Sequence, residues 1–297
     1  MKNKLNTNYR KKIEQINVDG EEYADDEMIP VYAEQKKSLD ALHVFIGLLF
    51  IKYAINGFLK PNTMQKANIT VEVQEKLKTM GKDLGESEVS KVTDILDKVY
   101  EDTYYKNAYT MESGMDVNLK FGMLKQEFID AAVNAKLDGE LFSDRIWENK
   151  SDMIDKLQSA LIDCMNGNTT IDKIGKDIQN TFNVSAYESK RLVITELTRI
   201  QAQAQTDIGV SAGCTKQMWS SALDDKTCDE CASLDSQIFD IDDSSRPEMP
   251  LHPFDRCCWI NIPPSGNWEP SVRKDNESKD IIDYVDYSQW AKDKGIE

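Results

Sequence analysis

Proline divides this chain. Only Pro30 and Pro61 occur before Gly213, whereas Pro247, Pro250, Pro253, Pro263, Pro264 and Pro270 crowd the last quarter. Proline lacks the N–H that an interior helical turn must donate, and its ring clashes with the turn before it. Long helices are therefore allowed ahead of Gly213 and nearly forbidden behind it. With 297 residues the chain is long enough for a sizeable core and for two domains.

Apolar spacing fills in the front part. Residues 18–28, "VDGEEYADDEM", read as a loop, and a helix is expected from about Pro30 to Leu59, stopped by Pro61. Its middle, "ALHVFIGLLFI" at 41–51, is too short to span a bilayer and reads as a buried helical segment, with His43 a core or boundary histidine. Further helices are expected near 69–82, 87–110, 116–136, 151–165, 169–182 and 185–212. "MGKDLGES", "MESGMD" and "MNGNTT" read as the turns between several of them. Ser185 and Glu188 have capping-box spacing for the last helix. Val193, Leu197, Ile200, Ala204 and Ile208 then form its apolar stripe. Glu196 and Arg199, three apart, read as a surface ion pair.

Behind Gly213 the texture changes. "TKQMWSSAL" at 215–223 alternates weakly, and "QIFDI" at 237–241 and "CWINI" at 258–262 look like short strands. The segment 280–293 is amphipathic and reads either as a docking helix or as a partly ordered tail. The fold class expected is mainly α, with a long helical N-terminal part and a small C-terminal α+β module. The organisation expected is 1–184 helical, 185–264 the module, and 265–297 an acidic tail.

Two short stretches of the module, 227–241 and 251–259, hold four of the six cysteines and one of the two histidines. Cys228 and Cys231 form a C-x-x-C turn, and His252 and Cys257 an H-x4-C pair on a second loop. Zinc takes four such sulfur and nitrogen ligands in a tetrahedron, and a closed set is structural. A small, proline-rich, acidic module has little core of its own, so a metal staple would suit it. Cys258 competes with Cys257 for the fourth place, and Asp255 offers an oxygen. The other readings are four buried thiols with no common ligand, or a redox C-x-x-C, which lacks the surrounding βαβ pattern. Cys164 and Cys214 lie outside the cluster and read as small apolar residues.

Charge narrows the partners. The formal net charge is −16, and residues 222–297, with 18 acidic and 8 basic side chains, account for −10 of it. Such a surface repels phosphate backbones, which argues against non-specific nucleic-acid binding, and suits basic protein surfaces. The N-terminus shows no apolar signal region, so synthesis in a reducing cytosol without disulfides is expected. No phosphate-cradling glycine loop, no H-E-x-x-H and no selected pair of carboxylates points to an enzyme or a small-molecule substrate.

A distinctive order of residues runs through the module. Glu196 and Arg199 on a helix precede Trp219. Asp224, Lys226, Thr227, Cys228 and Cys231 follow, then Leu234, Asp235 and Phe239, then His252, Pro253, Arg256 and Cys257. Residues 185–264 thereby resemble the core of the phage Mu F-like head morphogenesis family, the minor capsid proteins of tailed phages. Three positions depart from its pattern. Asp255 stands where the family often has the first Cys of C-R-C, Ser236 replaces a turn glycine, and Ile194 stands where an Arg often precedes Thr-Glu. The serine puts a turn with positive φ in doubt.

The resemblance implies a low-copy component of the phage head, at its interior or portal vertex. It would assemble with portal and procapsid or scaffold proteins in the host cytoplasm, and some members accompany DNA delivery. Some relatives carry a toxin domain after this core. Only about 33 residues follow Pro264 here, so neither toxin nor other enzyme is expected. The alternative is a zinc-dependent nucleic-acid-binding module, which would need a basic face.

Overall fold

A computed structural model describes residues 9–115, 123–264 and 272–295. The front part is helical: α1 (Tyr9–Tyr53), α2 (Thr63–Met115), α3 (Gln126–Val133), α4 (Phe142–Met165) and α5 (Ile171–Ser211). A two-stranded hairpin, β1 (Ala54–Ile55) with β2 (Phe58–Leu59), separates α1 from α2. Beyond α5 come β3 (Lys216–Ser220), α6 (Asp229–Leu234), β4 (Ile238–Asp240), β5 (Cys258–Ile262), β6 (Val272–Lys274), β7 (Ile281–Asp283) and α7 (Tyr287–Lys294). The protein is mainly α with a small module of short strands, as the proline distribution requires.

Most of the helices are longer than their spacing suggested, and the reasons are local, although only Gln126–Val133 of the stretch expected at 116–136 is described as helix. Residues 18–28 are helix, not loop, and Pro30 sits inside α1. Ala24, Met28 and Val31 are buried at steps of three and four, so an apolar stripe runs through the charged stretch. At its other end α1 stops at Tyr53 rather than Leu59. Asn56 and Gly57, at φ 51° and 81°, make the left-handed pair of a tight hairpin turn. The Asn-Gly dipeptide was the missed signal.

The expected helices at 69–82 and 87–110 are one helix, α2. Asn62 and Gln65 cap it reciprocally, each backbone N–H donating to the other's side-chain oxygen at 2.9 Å. Gly81 and Gly85 do not break it. A Cβ at Gly81 would lie 2.8 Å from Ile154, and one at Gly85 only 2.3 Å from the Trp147 ring. These glycines let α4 pack closely against α2. Likewise α4 begins at Phe142, not 151, and α5 runs unbroken through 183–184. Ser185 is therefore no helix cap. It is buried and accepts a hydrogen bond from Lys150 Nζ at 3.2 Å, while Glu188 pairs with Arg191. Part of the helix expected at 116–136, the stretch 116–122, lies outside the described residues, as does Pro270.

The residues divide into two compact units. One comprises Asp26–Thr93 and Lys136–Leu192, the other Met1–Asp25, Asp94–Ala135 and Val193–Glu297. In the first, Leu42, Ile46, Leu77, Leu157, Leu161 and Ile178 belong to one apolar core. A buried ion pair stands within that unit: Lys150 Nζ lies 2.6 Å from Glu88 Oε2, with Gln35 and Ser189 beside it. His43, half-buried in the same unit, faces the Gly175 carbonyl.

In the second unit β3 lies between β4 and β5, all antiparallel, with Trp219 opposite Trp259. These two rings meet edge to face at 5.2 Å, Phe239 meets Trp259 at 5.9 Å, and Arg246 lies 4.2 Å over the Trp259 ring. Gln205 of α5 fixes the sheet. Its side-chain oxygen accepts from Trp259 N–H at 3.0 Å, and its carbonyl accepts from Asn261 Nδ2 at 2.7 Å.

Much of the segment expected as an acidic tail is folded onto this unit. The hairpin β6–β7 supplies Arg273. Helix α7, capped by Asp286 and ended by Gly295 at φ 72°, packs Tyr287 and Trp290 with Leu223.

Candidate metal centre

Two loops converge at the edge of the three-stranded sheet. The first is the C-x-x-C turn. Cys228 is the N-cap of α6, and its sulfur accepts from Cys231 N–H at 3.4 Å. Thr227 Oγ1 donates to the Ala222 carbonyl at 2.6 Å, and Asp224 Oδ1 accepts from Lys226 N–H at 2.9 Å. Together these contacts hold the turn that presents both sulfurs on one side.

The second loop, Leu251–Cys257, is shaped by Asp255. Its Oδ2 accepts from Leu251 N–H at 2.8 Å and its Oδ1 from Cys257 N–H at 2.9 Å. Helix α5 pins the loop from outside. Thr195 Oγ1 accepts from Phe254 N–H at 3.2 Å, and Thr198 Oγ1 donates to the Asp255 carbonyl. Phe254 adopts φ 62°, which turns the chain back toward the sheet. Arg256 reaches the first loop, with Nη1 2.5 Å from Asp224 Oδ2.

Between the loops stands His252. Its Nε2 lies 3.3 Å from Cys228 Sγ and 3.2 Å from Cys231 Sγ. Its Nδ1 lies 2.9 Å from the Pro253 carbonyl. A carbonyl only accepts, so the neutral ring carries its proton on Nδ1 and turns the Nε2 lone pair toward the two sulfurs. That is the arrangement of a metal-binding histidine, with the ring oriented by its second nitrogen.

Cys257 completes the group through Cys231. Contact with Cys257 holds Cys231 below the ordinary thiol range, and the same contact together with burial raises Cys257 well above it. Ligand atoms fall into two overlapping sets, Cys228–Cys231–His252 and Cys231–Asp255–Cys257, each within 4.8 Å. Tetrahedral zinc, with bonds of about 2.3 Å to sulfur and 2.0–2.1 Å to nitrogen, sets an S···N separation of about 3.5 Å. The two observed S···N distances lie close to that, and the donor set fits zinc. Cys231 and Cys257 are buried while Cys228 and His252 are half-buried, and a small cavity lined by all four also touches Phe254 and Arg256.

Of the four residues expected from spacing, Cys228, Cys231 and His252 come together in one set, and Cys257 adjoins it through Cys231 in the other. Cys258 is not among them. Next to Cys257 on β5 it faces the opposite side, toward Asn17 and Ser220, and burial pushes its thiol up to about 12. Cys164 and Cys214 are buried elsewhere, each pushed by burial to about 11.

Other motif residues have structural tasks that spacing did not reveal. Glu196 and Arg199 are not a surface pair but a buried one, at 2.7 Å. Arg199 also donates to the Ala132 and Val133 carbonyls, closing the C-terminus of α3. Asp235 accepts from Ser221 N–H, Tyr287 N–H, Arg10 and Arg273. Burial alone would raise its pKa; Arg273 and Arg10 overcome this and hold it below the usual carboxylate range. Ser236 adopts φ 67° although it is not glycine, so the doubted turn does form.

Residues 155–260 match the family described as Phage Mu protein F like protein. Along 216 residues, 66% of this chain, the sequence is 23% identical to an NAD(+)–arginine ADP-ribosyltransferase of Enterococcus faecalis, and the match spans 43% of that protein's length. Along 283 residues, 89% of this chain and 90% of the relative, it is 22% identical to the minor head protein GP7 of Bacillus phage SPP1. No solved structure matches.

Proposed function

We propose, from this chain's match to the Mu F-like minor head family, that it is a non-enzymatic building component of a phage head that docks on the portal during procapsid assembly. A virion component acting in head morphogenesis, among other capsid proteins, is the coarse role. The portal or scaffold contact, a place at the head interior or portal vertex, and any accompaniment of DNA packaging or delivery are the finer parts of the proposal. The observation that carries it is alignment with a minor head protein along nine-tenths of both chains. The transferase match covers less than half of that relative, and we assign no transferase activity to this chain. Among the described residues no helix is long and apolar enough to cross a membrane.

We further infer that Cys228, Cys231, His252 and Cys257 hold one structural zinc ion. The metal would supply a crosslink between the C-x-x-C turn and the loop Leu251–Cys257. The chain's own residues orient the donors: Pro253 fixes the His252 tautomer, and Asp224 and Arg256 tie the loops together.

The test is co-purification with the portal protein of its own phage, with zinc measured on the same sample. A stable complex containing about one zinc per chain supports both parts. A head that assembles normally around the portal without this protein would end the assembly proposal. The nucleic-acid alternative predicts DNA binding by the full chain that weakens steeply with salt. No such binding is expected from an acidic surface.

A further inference from the structure

Resting on the zinc reading above, we propose that Asp255 positions the metal centre without being one of its ligands, and that Cys257 closes the tetrahedron. Cys231 belongs to both candidate ligand sets, so one ion beside it has two possible fourth donors. The hydrogen bonds separate them.

Asp255 is 1% exposed, and each of its oxygens already serves a backbone amide, at 2.8 and 2.9 Å. Those amides belong to Leu251, which precedes His252, and to Cys257 itself. The Asp255 N–H in turn donates to the His252 carbonyl at 3.1 Å. The carboxylate therefore ties the loop into a ring whose two ends present the imidazole and the thiol. Turning an oxygen toward the metal would leave a buried N–H without its acceptor and loosen the loop that carries the other two donors.

Cys257 is in the opposite situation. Its sulfur lies within 4.8 Å of the Cys231 sulfur, and among the described residues no backbone amide donates to it. Placing zinc on that sulfur releases no backbone amide from its acceptor. A closed site of three thiolates and one imidazole is a common structural zinc set.

Cobalt titration of the metal-stripped full chain distinguishes the roles, because thiolate-to-cobalt absorption scales with the number of thiolates. Wild type should show the tetrahedral bands with three-thiolate intensity. Cys257→Ser should lose about one third of that intensity. Asp255→Asn, which cannot accept from both amides, should keep the intensity and band positions but bind cobalt about 10–100-fold more weakly. Shifted ligand-field bands in Asp255→Asn with full intensity in Cys257→Ser would make Asp255 the ligand and overturn the proposal. If Asp255→Asn does not fold, Cys257→Ser decides alone: full intensity overturns, a one-third loss supports. Absence of any thiolate band in wild type would remove the zinc reading itself, and this proposal with it.

Discussion

Arg273 Nη1 lies 2.8 Å from Asp235 Oδ2, and both side chains are closed off from solvent. The pair belongs to a larger arrangement. Arg10, on α1, reaches the same carboxylate and lies 2.8 Å from Glu14, and Arg273 also donates to the Ser221 carbonyl. Two buried guanidinium groups thus share two carboxylates and bring together α1, the loop after α6, and β6.

Removing the centre of this arrangement should be severe. Asp235→Ala leaves Arg10 and Arg273 short of a counter-charge in a desolvated place, an effect of about 3–5 kcal/mol. Urea unfolding of the purified chain measures it, and a loss under about 1 kcal/mol would show that Glu14 alone suffices.

The same carboxylate sets an acid limit. Its folded pKa is depressed, so its contribution is complete above its unfolded pKa of about 3.9 and disappears as pH falls through the lower folded value. Stability against urea should therefore fall between about pH 5 and pH 2, and less steeply in Asp235→Asn. Equal slopes in the two proteins would assign the acid loss to other groups.

Arg199→Ala should cost about 3 kcal/mol, because it removes a buried ion pair with Glu196 and a donor from the α3 carbonyls at Ala132 and Val133. Hydrogen exchange at Gln126–Val133 separates this from a general loss. Local deprotection beyond the global change is expected.

Two glycines should respond in opposite directions. At Gly47 in α1 an added methyl would meet nothing within 4 Å, so Gly47→Ala should gain about 0.5–1 kcal/mol from backbone entropy. Gly85→Ala has the same gain but drives a methyl into the Trp147 ring, which costs about 1–3 kcal/mol. Thermal melting should rise for the first and fall for the second.

Metal removal should act locally. Chelation is expected to raise hydrogen exchange in the C-x-x-C turn and in Leu251–Cys257, and to leave α4 protected. Uniform protection before and after chelation would count against a metal staple.

The contrast between Gly85 and Asn56-Gly57 shows what was legible in the chain. Both were runs containing glycine, but one allows close helix packing and the other makes a hairpin, and only the partner residues distinguish them. Proline spacing separated helices from strands because its effect is local. The short strands at 237–241 and 258–262 were visible for the same reason. Helix lengths were not, since Trp147 and Ile154 stand more than sixty positions from the glycines they cover.

At the metal centre, residue types and spacing brought out Cys228, Cys231, His252 and Cys257. The side chains that shape their loops did not stand out in that role. Thr195 and Thr198 meet a loop more than fifty positions away, which nothing in their spacing announces, and Asp255 stood out as an oxygen donor but not as the acceptor for two backbone amides of its own loop. Glu196 and Arg199 looked like an ordinary surface pair for the same reason: the carbonyls that Arg199 serves lie more than sixty positions earlier.

Arg10 and Asp235 are separated by 225 positions. At roughly 5–20 residues per second, a ribosome has exposed the arginine for on the order of ten seconds or more before its carboxylate emerges, and Arg273 emerges later still. The start of α1 therefore cannot settle during synthesis. Its buried arginine must wait in water, or in the care of a chaperone, until Asp235 and Arg273 have both emerged.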